Sequence, residues 1–288
     1  MKLDRVAAAP ISWGVCEVPG WGVQLDPAVV LSQIRDLGLH ATEFGPVDFL
    51  PAEPTERTAM LAAYELRAVG GFLPVVLHDA NTHPGDLVDR FADACVAAGG
   101  DVVVLAAASG ASGYDLRAEL NYAQWSVLLD HLDEVTKRGA ARGVVVALHP
   151  HVGTMVQTRA EVDHVLTGSD VGLCLDTGHL LLGGTDPVAL VTEWAQRVLH
   201  VHLKDVDAAA ADRVRTGAST FAEAVRGGLF RPLGKGDIDI ASLVRMLERA
   251  GYEGWYVLEQ DVMLQDAQPD QPLADAATSI NYLLGALG

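Results

Sequence analysis

Eight short apolar segments alternate along the chain with longer amphipathic ones, and this order constrains the fold more than any other feature. The longer segments repeat apolar residues at every third or fourth position, which predicts helices. The short segments have the composition of strands and lie at residues 6–12, 41–45, 72–78, 101–107, 144–149, 171–176, 198–204 and 255–260. Because parallel strands are joined by long crossovers, the alternation predicts an α/β fold with a parallel sheet.

Local signals mark the ends of the predicted helices. In the segment 26–38, Asp26 is a typical N-cap, Pro27 suits the first turn, and Gly38 suits the end of the helix. Further helices are predicted at 161–168, 186–197 and 239–251. Each of them lies between two predicted strands, as a crossover connection requires.

Closure of eight strand–helix units into a ring gives a single (β/α)₈ TIM barrel, and a chain of 288 residues is long enough for this fold. We therefore expect residues 1–288 to form one barrel domain. An open doubly wound sheet is the alternative, but no G-x-G-x-x-G turn follows the first predicted strand. The segment 206–235 is too long for an ordinary loop. We expect it to fold over the active face, with a short helix near 219–226.

The formal net charge of −18 argues against a nucleic-acid partner, since a polyanion would be repelled. No apolar run reaches the roughly 20 residues that a bilayer-spanning helix needs, and the N-terminus lacks a signal-peptide core. We expect a cytoplasmic protein with a small-molecule substrate and no membrane partner. A homo-oligomer remains open, because the segment 277–288 suits either the last barrel helix or a dimer contact.

Ionisable side chains are concentrated just after the predicted strands. They are Glu43, His78, Asp79, His149, His151, Asp176, His179, His200, His202, Lys204, Asp205, Glu259 and Asp261. In a barrel these strand ends meet on one face, where the chemistry takes place. Imidazole and carboxylate ligands together suit Mn²⁺, Co²⁺, Fe²⁺ or Zn²⁺. In the segment 198–204 the two-residue period of a strand puts His200, His202 and Lys204 on one face.

Each of these residues also has an ordinary structural explanation. A single histidine at a strand end is more often hydrogen-bonded than metal-bound, and Asp176 before Thr177 and Gly178 suits a helix cap. Glu259 is harder to explain in this way, because it follows an apolar strand and carboxylates are rarely buried unpaired. The coincidence at four strand ends favours a metal site. Cys174, inside an apolar run, is interpreted as a small buried residue.

Several motifs, in chain order, resemble those of a known superfamily. The segments LCLDTGH (173–179), HVHLKD (200–205) and VLEQD (257–261) are similar to the xylose isomerase-like barrels, which include sugar isomerases, epimerases and dehydratases. Within this superfamily, APISW (9–13) and HPHVGTMVQT (149–158) resemble the inosose (2-keto-myo-inositol) dehydratases. The resemblance covers nearly the whole chain, and it implies a metal-dependent enzyme that acts on a sugar or polyol.

The resemblance implies four metal ligands at successive strand ends. In the superfamily a carboxylate follows the fifth strand, an Asp the sixth, a His the seventh and a Glu the eighth. The last three match Asp176, His202 and Glu259, whereas His149 stands where the sugar epimerases carry glutamate. His151 is the alternative ligand after the fifth strand. The implied cofactor is a divalent metal, with Mn²⁺ or Co²⁺ expected first and Mg²⁺, Fe²⁺ or Zn²⁺ also compatible.

The histidine at position 149 changes the expected reaction. Epimerases of this superfamily resemble one another in using two metal-bound glutamates, one to remove a proton and one to return it, and metal-bound imidazole is a poor base. The remaining base, Glu259, suffices for elimination of water from a keto-polyol such as 2-keto-myo-inositol through an enediolate. We therefore expect a dehydratase, a carbon–oxygen lyase, before an isomerase, an epimerase or an eliminase of 3-keto-glycosides. A non-catalytic ligand-binding barrel is the third alternative.

The other polar residues are assigned from the same resemblance and from their chemistry. Glu259 is expected to be the base, and His179 or His151 the acid that protonates the leaving hydroxyl. Lys204 is expected to hold substrate oxygens or to stabilise negative charge. Contacts with the polyol are expected from His151, Gln157, Glu43, Arg231 and Trp13, with ordinary packing as the alternative for Trp13.

Overall fold

A ring of parallel strands surrounded by helices forms the centre of the protein in the computed structural model, which describes residues 3–111, 113–115, 117–266 and 270–287. The strands are β1 (Val6–Ala8), β2 (Ala41–Thr42), β3 (Arg67–Ala68), β4 (Gly70–Val75), β5 (Val102–Ala107), β6 (Val145–Leu148), β7 (Gly172–Asp176), β8 (Val198–Leu203), β9 (Asp205–Val206), β10 (Phe230–Arg231) and β11 (Tyr256–Leu258). The α-helices are α1 (Pro27–Asp36), α2 (Pro54–Ala63), α3 (Pro84–Ala97), α4 (Tyr122–Ala141), α5 (Arg159–Gly168), α6 (Thr177–Leu182), α7 (Pro187–Trp194), α8 (Ala208–Arg215), α9 (Phe221–Arg226), α10 (Ile240–Arg249) and α11 (Asp270–Leu287). Short 3₁₀ helices lie at Leu3–Arg5, Pro10–Trp13 and Ala195–Arg197.

The sheet curls into a barrel at the point where the chain passes from β3 to β4. Nine strands pair side by side in the order β3-β2-β1-β11-β8-β7-β6-β5-β4, and every pair is parallel. Only Val69 separates β3 from β4, which pair with β2 and β5 at the two ends of this row. The two pieces therefore act as one bent strand. The bend requires Gly70, which has a φ of 152° and no Cβ to collide with Val102 O.

The predicted TIM barrel is confirmed, and the differences lie at the strand ends. The first strand stops at Ala8 and not at residue 12, because Pro10 lacks a backbone N–H and begins a 3₁₀ helix. The second strand is reduced to Ala41–Thr42, and the third ends at Val75 instead of residue 78. These shorter strands leave more of the chain available for the loops that surround the carboxyl ends of the barrel.

The helix ends follow the local signals in the sequence. Asp26 caps α1 by accepting the N–H of Ala28 at 2.8 Å, and Pro27 is the first residue of the helix. Asp239 caps α10 in the same way. The predicted helices at 161–168, 186–197 and 239–251 correspond to α5, to α7 with the 3₁₀ turn after it, and to α10. Within the described ranges, no helix is long and apolar enough to cross a membrane.

Apolar side chains lie on both sides of the barrel wall. The inner layer consists mostly of small residues, including Ala7, Ala41, Val104, Ala147, Cys174 and Val257. Cys174 is fully buried there, as predicted. The outer layer is larger and joins the strands to the helices through residues such as Leu105, Leu132 and Leu247. Because the interior is filled, polar side chains gather at the carboxyl ends of the strands, as is typical of this fold.

The insertion after β8 folds over this end of the barrel. Strand β9 pairs in antiparallel fashion with β10, and helices α8 and α9 lie between them in the chain. Helix α9 confirms the short helix predicted near 219–226. Its first residue, Phe221, packs against Trp21 and Tyr114, with ring centroids 6.3 and 5.5 Å away. The insertion therefore contributes an aromatic wall above the strand ends.

Candidate active site and metal centre

Four strand-end side chains that the sequence predicts as metal ligands lie in one cluster. His149 Nε2 is 3.2 Å from Asp176 Oδ2, and the same oxygen is 3.7 Å from His202 Nδ1. His202 Nδ1 in turn contacts Glu259 Oε2. The four residues belong to the carboxyl ends of β6, β7, β8 and β11, which are neighbours in the barrel.

The cluster contains buried polar atoms that a cation would satisfy. Nδ1 of His202 and Oε2 of Glu259 contact each other, and neither makes a hydrogen bond to the described residues. Ligand atoms of Asp176, His202 and Glu259 lie within 4.8 Å of one another, and His149 forms a similar group with Cys174 and His202. Buried polar atoms are nearly always paired, and His and carboxylate ligands suit a divalent metal. The residues therefore fit such an ion.

The charges around the cluster also favour a cation. Lys204 is fully buried, and its Nζ contacts three carboxylates, those of Asp176, Glu259 and Asp261, at 3.4, 2.9 and 2.8 Å. Burial lowers the pKa of Lys204, but the carboxylates outweigh this effect and hold the pKa well above its usual value. One lysine balances only one carboxylate, and buried charges need compensation. A divalent ion would balance the remaining negative charge.

Glu43 lies beside His202 and orients its ring. Oε1 of Glu43 accepts hydrogen bonds from Nε2 of His202 at 3.0 Å and from Nε2 of His200 at 2.9 Å. An ionised carboxylate only accepts, so both Nε2 atoms carry protons, and the other ring nitrogen of His202, Nδ1, is directed at the cluster. Burial raises the pKa of Glu43, but the two imidazoles outweigh burial and the net pKa is lowered. Glu43 therefore supports a candidate ligand.

Asp176 serves two purposes with its two oxygens. Oδ1 accepts the backbone N–H of His179 at 2.7 Å and caps α6. Oδ2 faces His149, His202 and Lys204. The helix cap, which is the ordinary explanation of this aspartate, therefore accounts for one oxygen and leaves the other directed at the cluster.

His151 and His179 stack on each other beside the cluster, with ring centroids 3.7 Å apart. Nδ1–H of His151 donates to the carbonyl of Val152 at 2.7 Å, and His151 belongs to none of the ligand groups found among the described residues. Burial and the neighbouring positive groups lower the pKa of His151 to about 3. Burial also lowers the pKa of His179 well below its usual value. Both rings are therefore uncharged at neutral pH.

A cavity of about 770 Å³ opens above the cluster. Its polar border includes Glu43, His149, His151, His202, Glu259 and Asp261. Asp176, Lys204 and His179 are buried behind this surface and do not border the cavity. A molecule in the cavity therefore reaches part of the cluster directly, whereas Lys204 acts on it only through its carboxylate partners.

Three residues that the sequence assigns to substrate binding lie away from this cavity. Trp13 is fully buried and donates its indole N–H to Gln33 Oε1 at 2.7 Å, which agrees with the packing alternative. Gln157 accepts a backbone N–H of its own loop at 2.9 Å. Arg231 is exposed and pairs with Asp207 at 3.2 Å. In each case the polar group bonds to a neighbouring part of the protein. The position of the residue in the sequence does not show that such a partner exists.

Three of the aromatic residues that border the cavity lie near His151 and were not predicted as site residues. Phe72 lies beside both histidines that follow β6, 5.8 Å from the ring of His149 and 5.9 Å from that of His151. Tyr114 is 5.1 Å from His151, and Phe221 is 6.4 Å from it. Phe72 has the sequence context of an ordinary strand residue. The sequence pointed to Phe221 only indirectly, because the long insertion that contains it was expected to cover the active face.

Comparison with known proteins agrees with this geometry, since the xylose isomerase-like TIM barrel family matches residues 31–283. The chain belongs to this family. An inosose dehydratase of Geobacillus kaustophilus is 30% identical to the chain, covering 97% of it and 93% of the relative. The solved structure of L-ribulose 3-epimerase matches with a TM-score of 0.72 and 18% sequence identity. The match covers 98% of this chain and 94% of the epimerase chain. That of the IOLI protein with a binding zinc atom has a TM-score of 0.71 at 14% identity and covers 99% of each chain.

Proposed function

We propose that this member of the xylose isomerase-like family catalyses metal-dependent elimination of water from a keto-polyol such as 2-keto-myo-inositol. The observation that carries the proposal is His149, 3.2 Å from Asp176, at the strand end where the resemblance predicts glutamate in sugar epimerases. An imidazole there removes one of the two carboxylate bases that epimerisation uses. The similarity to an inosose dehydratase over nearly the whole chain supports the same chemistry.

The proposed metal ligands are His149, Asp176, His202 and Glu259. When bound, a divalent ion supplies Lewis acidity that polarises the substrate carbonyl and stabilises the negative charge developing on its oxygen. The zinc atom in the structure of the IOLI protein supports a divalent metal in this family. Glu43 holds the ring of His202 in the orientation that this ligand set needs.

Glu259 is the proposed base. It borders the cavity, whereas Asp176 does not, and its side chain is 11% exposed. Its Oε1 is held by Nζ of Lys204 at 2.9 Å. In the proposed step the carboxylate takes the proton from the carbon next to the carbonyl, and the electron pair moves toward the carbonyl oxygen. Lys204 thus positions the base and does not touch the substrate.

The leaving hydroxyl needs a proton, and Asp261 is the side chain at the cavity that is placed to deliver it, because burial raises the pKa of its carboxyl to about 6. His151, which is uncharged at neutral pH, orients the hydroxyl. As the C–O bond breaks, the hydroxyl takes a proton and departs as water, which balances the proton lost to the base. His151 and Asp261 border the cavity, whereas His179 is buried behind His151. Lys204 Nζ donates to Asp261 Oδ1 at 2.8 Å and leaves the other oxygen for this task. His179 is assigned to supporting His151 through the stacked rings.

The test combines metal analysis with product analysis. Purified protein is expected to contain a divalent metal, and incubation with 2-keto-myo-inositol should release water and form a product with diketone absorbance. Chelation should stop turnover, and Mn²⁺ or Co²⁺ should restore it. Glu259→Gln should abolish turnover, whereas Glu17→Gln, which changes an exposed carboxylate at the same cavity, should not. A fully active metal-free protein would contradict the proposal.

Epimerisation or isomerisation of a sugar is the second candidate, and Asp261 is the observation that favours it. Asp261 gives the cavity a further carboxyl group besides Glu43 and Glu259, so a second proton-transfer group is present. The reaction in deuterium oxide separates the candidates. Deuterium at the carbon next to the carbonyl without loss of water indicates epimerisation, and loss of water indicates dehydration.

A further inference from the structure

The cavity extends well beyond the cluster into an apolar region that a polyol does not need. Its volume of about 770 Å³ lies in the upper part of the range of about 300–1,000 Å³ that is typical of pockets for drug-sized ligands. One part of it is formed by the loop after β2, by β4 and by one face of α3. We call this part the annex and define it by Phe44, Pro46, Val47, Leu73, Leu87 and Phe91.

The annex has a buried aromatic floor and an exposed apolar rim. The rings of Phe44 and Phe91 meet edge to face at 6.0 Å, and the planar guanidinium of Arg57 lies 4.4 Å from the centre of the Phe44 ring. At its rim, Val47 is 88% exposed and Leu87 is 44% exposed. These are two of the large apolar side chains that the described part of the chain leaves in water. Exposed apolar side chains that border one cavity are typical of a ligand site.

We propose that the substrate carries an apolar substituent of the size of an aromatic ring beside its keto-polyol ring, and that the annex binds this substituent. A bare polyol gains little from such walls, because its hydroxyls would lose water without finding hydrogen-bond partners. An aromatic ring gains by leaving water and by contact with the side chains of Val47, Leu87 and Phe91, which are not fully buried. The inference takes the keto-polyol part of the substrate from the proposed function. The apolar substituent is inferred from the annex.

Matched ethers of 2-keto-myo-inositol test the inference by direct binding. The mono-O-benzyl ethers and the corresponding mono-O-methyl ethers are titrated calorimetrically into the metal-loaded protein. At one or more ring positions, the benzyl ether should bind about 10- to 100-fold more tightly than the methyl ether. Equal or weaker binding of every benzyl ether would overturn the inference. If 2-keto-myo-inositol is still dehydrated in that case, the proposed function survives.

A pair of charge variants locates the binding of the benzyl group. Leu87 lies in the first turn of α3, where a carboxylate is tolerated by the helix dipole, so Leu87→Glu should fold. It should remove most of the benzyl preference and leave the affinity for the methyl ethers unchanged. Leu284→Glu, at a 42% exposed position on α11 that does not border the cavity, is the matched control and should leave the preference intact. If Leu87→Glu keeps the preference, or changes only the oligomeric state, the annex is not a substrate site.

Discussion

Oε1 of Glu43 lies 3.0 Å from Nε2 of His202, on the side of the ring opposite to the cluster. The carboxylate follows β2 and the histidine belongs to β8, so the contact joins two strands that are separated in the barrel by β1 and β11. A carboxylate behind a metal-binding histidine fixes both the orientation and the tautomer of the ring. Glu43 therefore fixes the orientation of His202, which is one of the proposed metal ligands.

Glu43→Gln is expected to lower metal affinity about 10- to 100-fold, as is usual when such a supporting carboxylate is lost. The amide can still fill the space but no longer accepts two hydrogen bonds with a full negative charge. Competition with a chelating dye measures the affinity for Mn²⁺ or Co²⁺ without relying on activity. Glu17→Gln, at the same cavity but outside the cluster, is the control. Unchanged affinity in Glu43→Gln would mean that His202 needs no such support.

The choice between His149 and His151 as ligand can be decided by metal content. His149→Ala should lose the metal after dialysis, because His149 Nε2 is 3.2 Å from Asp176 Oδ2 and the residue forms a potential ligand group with Cys174 and His202. His151→Ala should keep the metal and lose turnover, since His151 borders the cavity but belongs to no ligand group in the described residues. His78→Ala, at another strand end, should change neither quantity. The opposite pattern would assign the ligand to His151.

Lys204→Met is expected to destabilise the metal-free protein by about 3–5 kcal/mol, because it leaves several buried carboxylates without their cation. Nζ of Lys204 contacts three of them, and the residue is fully buried. Urea unfolding at pH 7 measures the loss. Lys137→Met removes an exposed lysine of α4 and should have little effect. A loss in Lys204→Met no larger than in this control would show that the carboxylates do not depend on the lysine.

The strand-end residues show how far the sequence predicts this site. The two-residue period of β8 puts His200 and His202 on one face, where both contact Glu43, since alternation is a local property of a strand. It does not give depth along the barrel axis. His202 reaches the cavity, whereas Lys204 lies behind the carboxylates. That difference depends on the twist and stagger of neighbouring strands, and these are set by residues far apart in the sequence.

Partners distant in the chain account for the other differences. Glu43 was predicted to contact substrate and borders the cavity, but the sequence did not predict that its Oε1 also accepts from two histidines more than a hundred residues away. Phe221 reaches the cavity because its insertion packs back onto Trp21 and Tyr114. Trp13 is the simplest case, since Gln33 satisfies its indole N–H in the interior. Helix caps and strand order were predictable because their causes lie within a few residues.

Glu161 links the loop that carries His149 to the rest of the barrel. Its Oε2 accepts the N–H groups of Gln157 and Thr158 at 2.9 and 2.8 Å, and its Oε1 pairs with Arg117 at 2.7 Å. Burial raises the pKa of Glu161, but these hydrogen bonds and the arginine outweigh burial and lower it. The folded protein therefore favours the ionised form of this carboxyl.

Glu161→Ala is expected to cost about 1–2 kcal/mol of unfolding free energy at pH 7, the usual range for a lost helix cap. Because the folded-state pKa is lowered, the contribution of Glu161 is complete above its unfolded pKa of about 4.3 and is lost as the pH falls through the folded value. The stability gap between wild type and variant should therefore narrow below about pH 4.3. Urea unfolding from pH 3 to pH 7 measures this gap. Glu119→Ala, at an exposed position, should show no gap at any pH, and a gap for Glu161→Ala that is constant with pH would contradict the assigned ionisation.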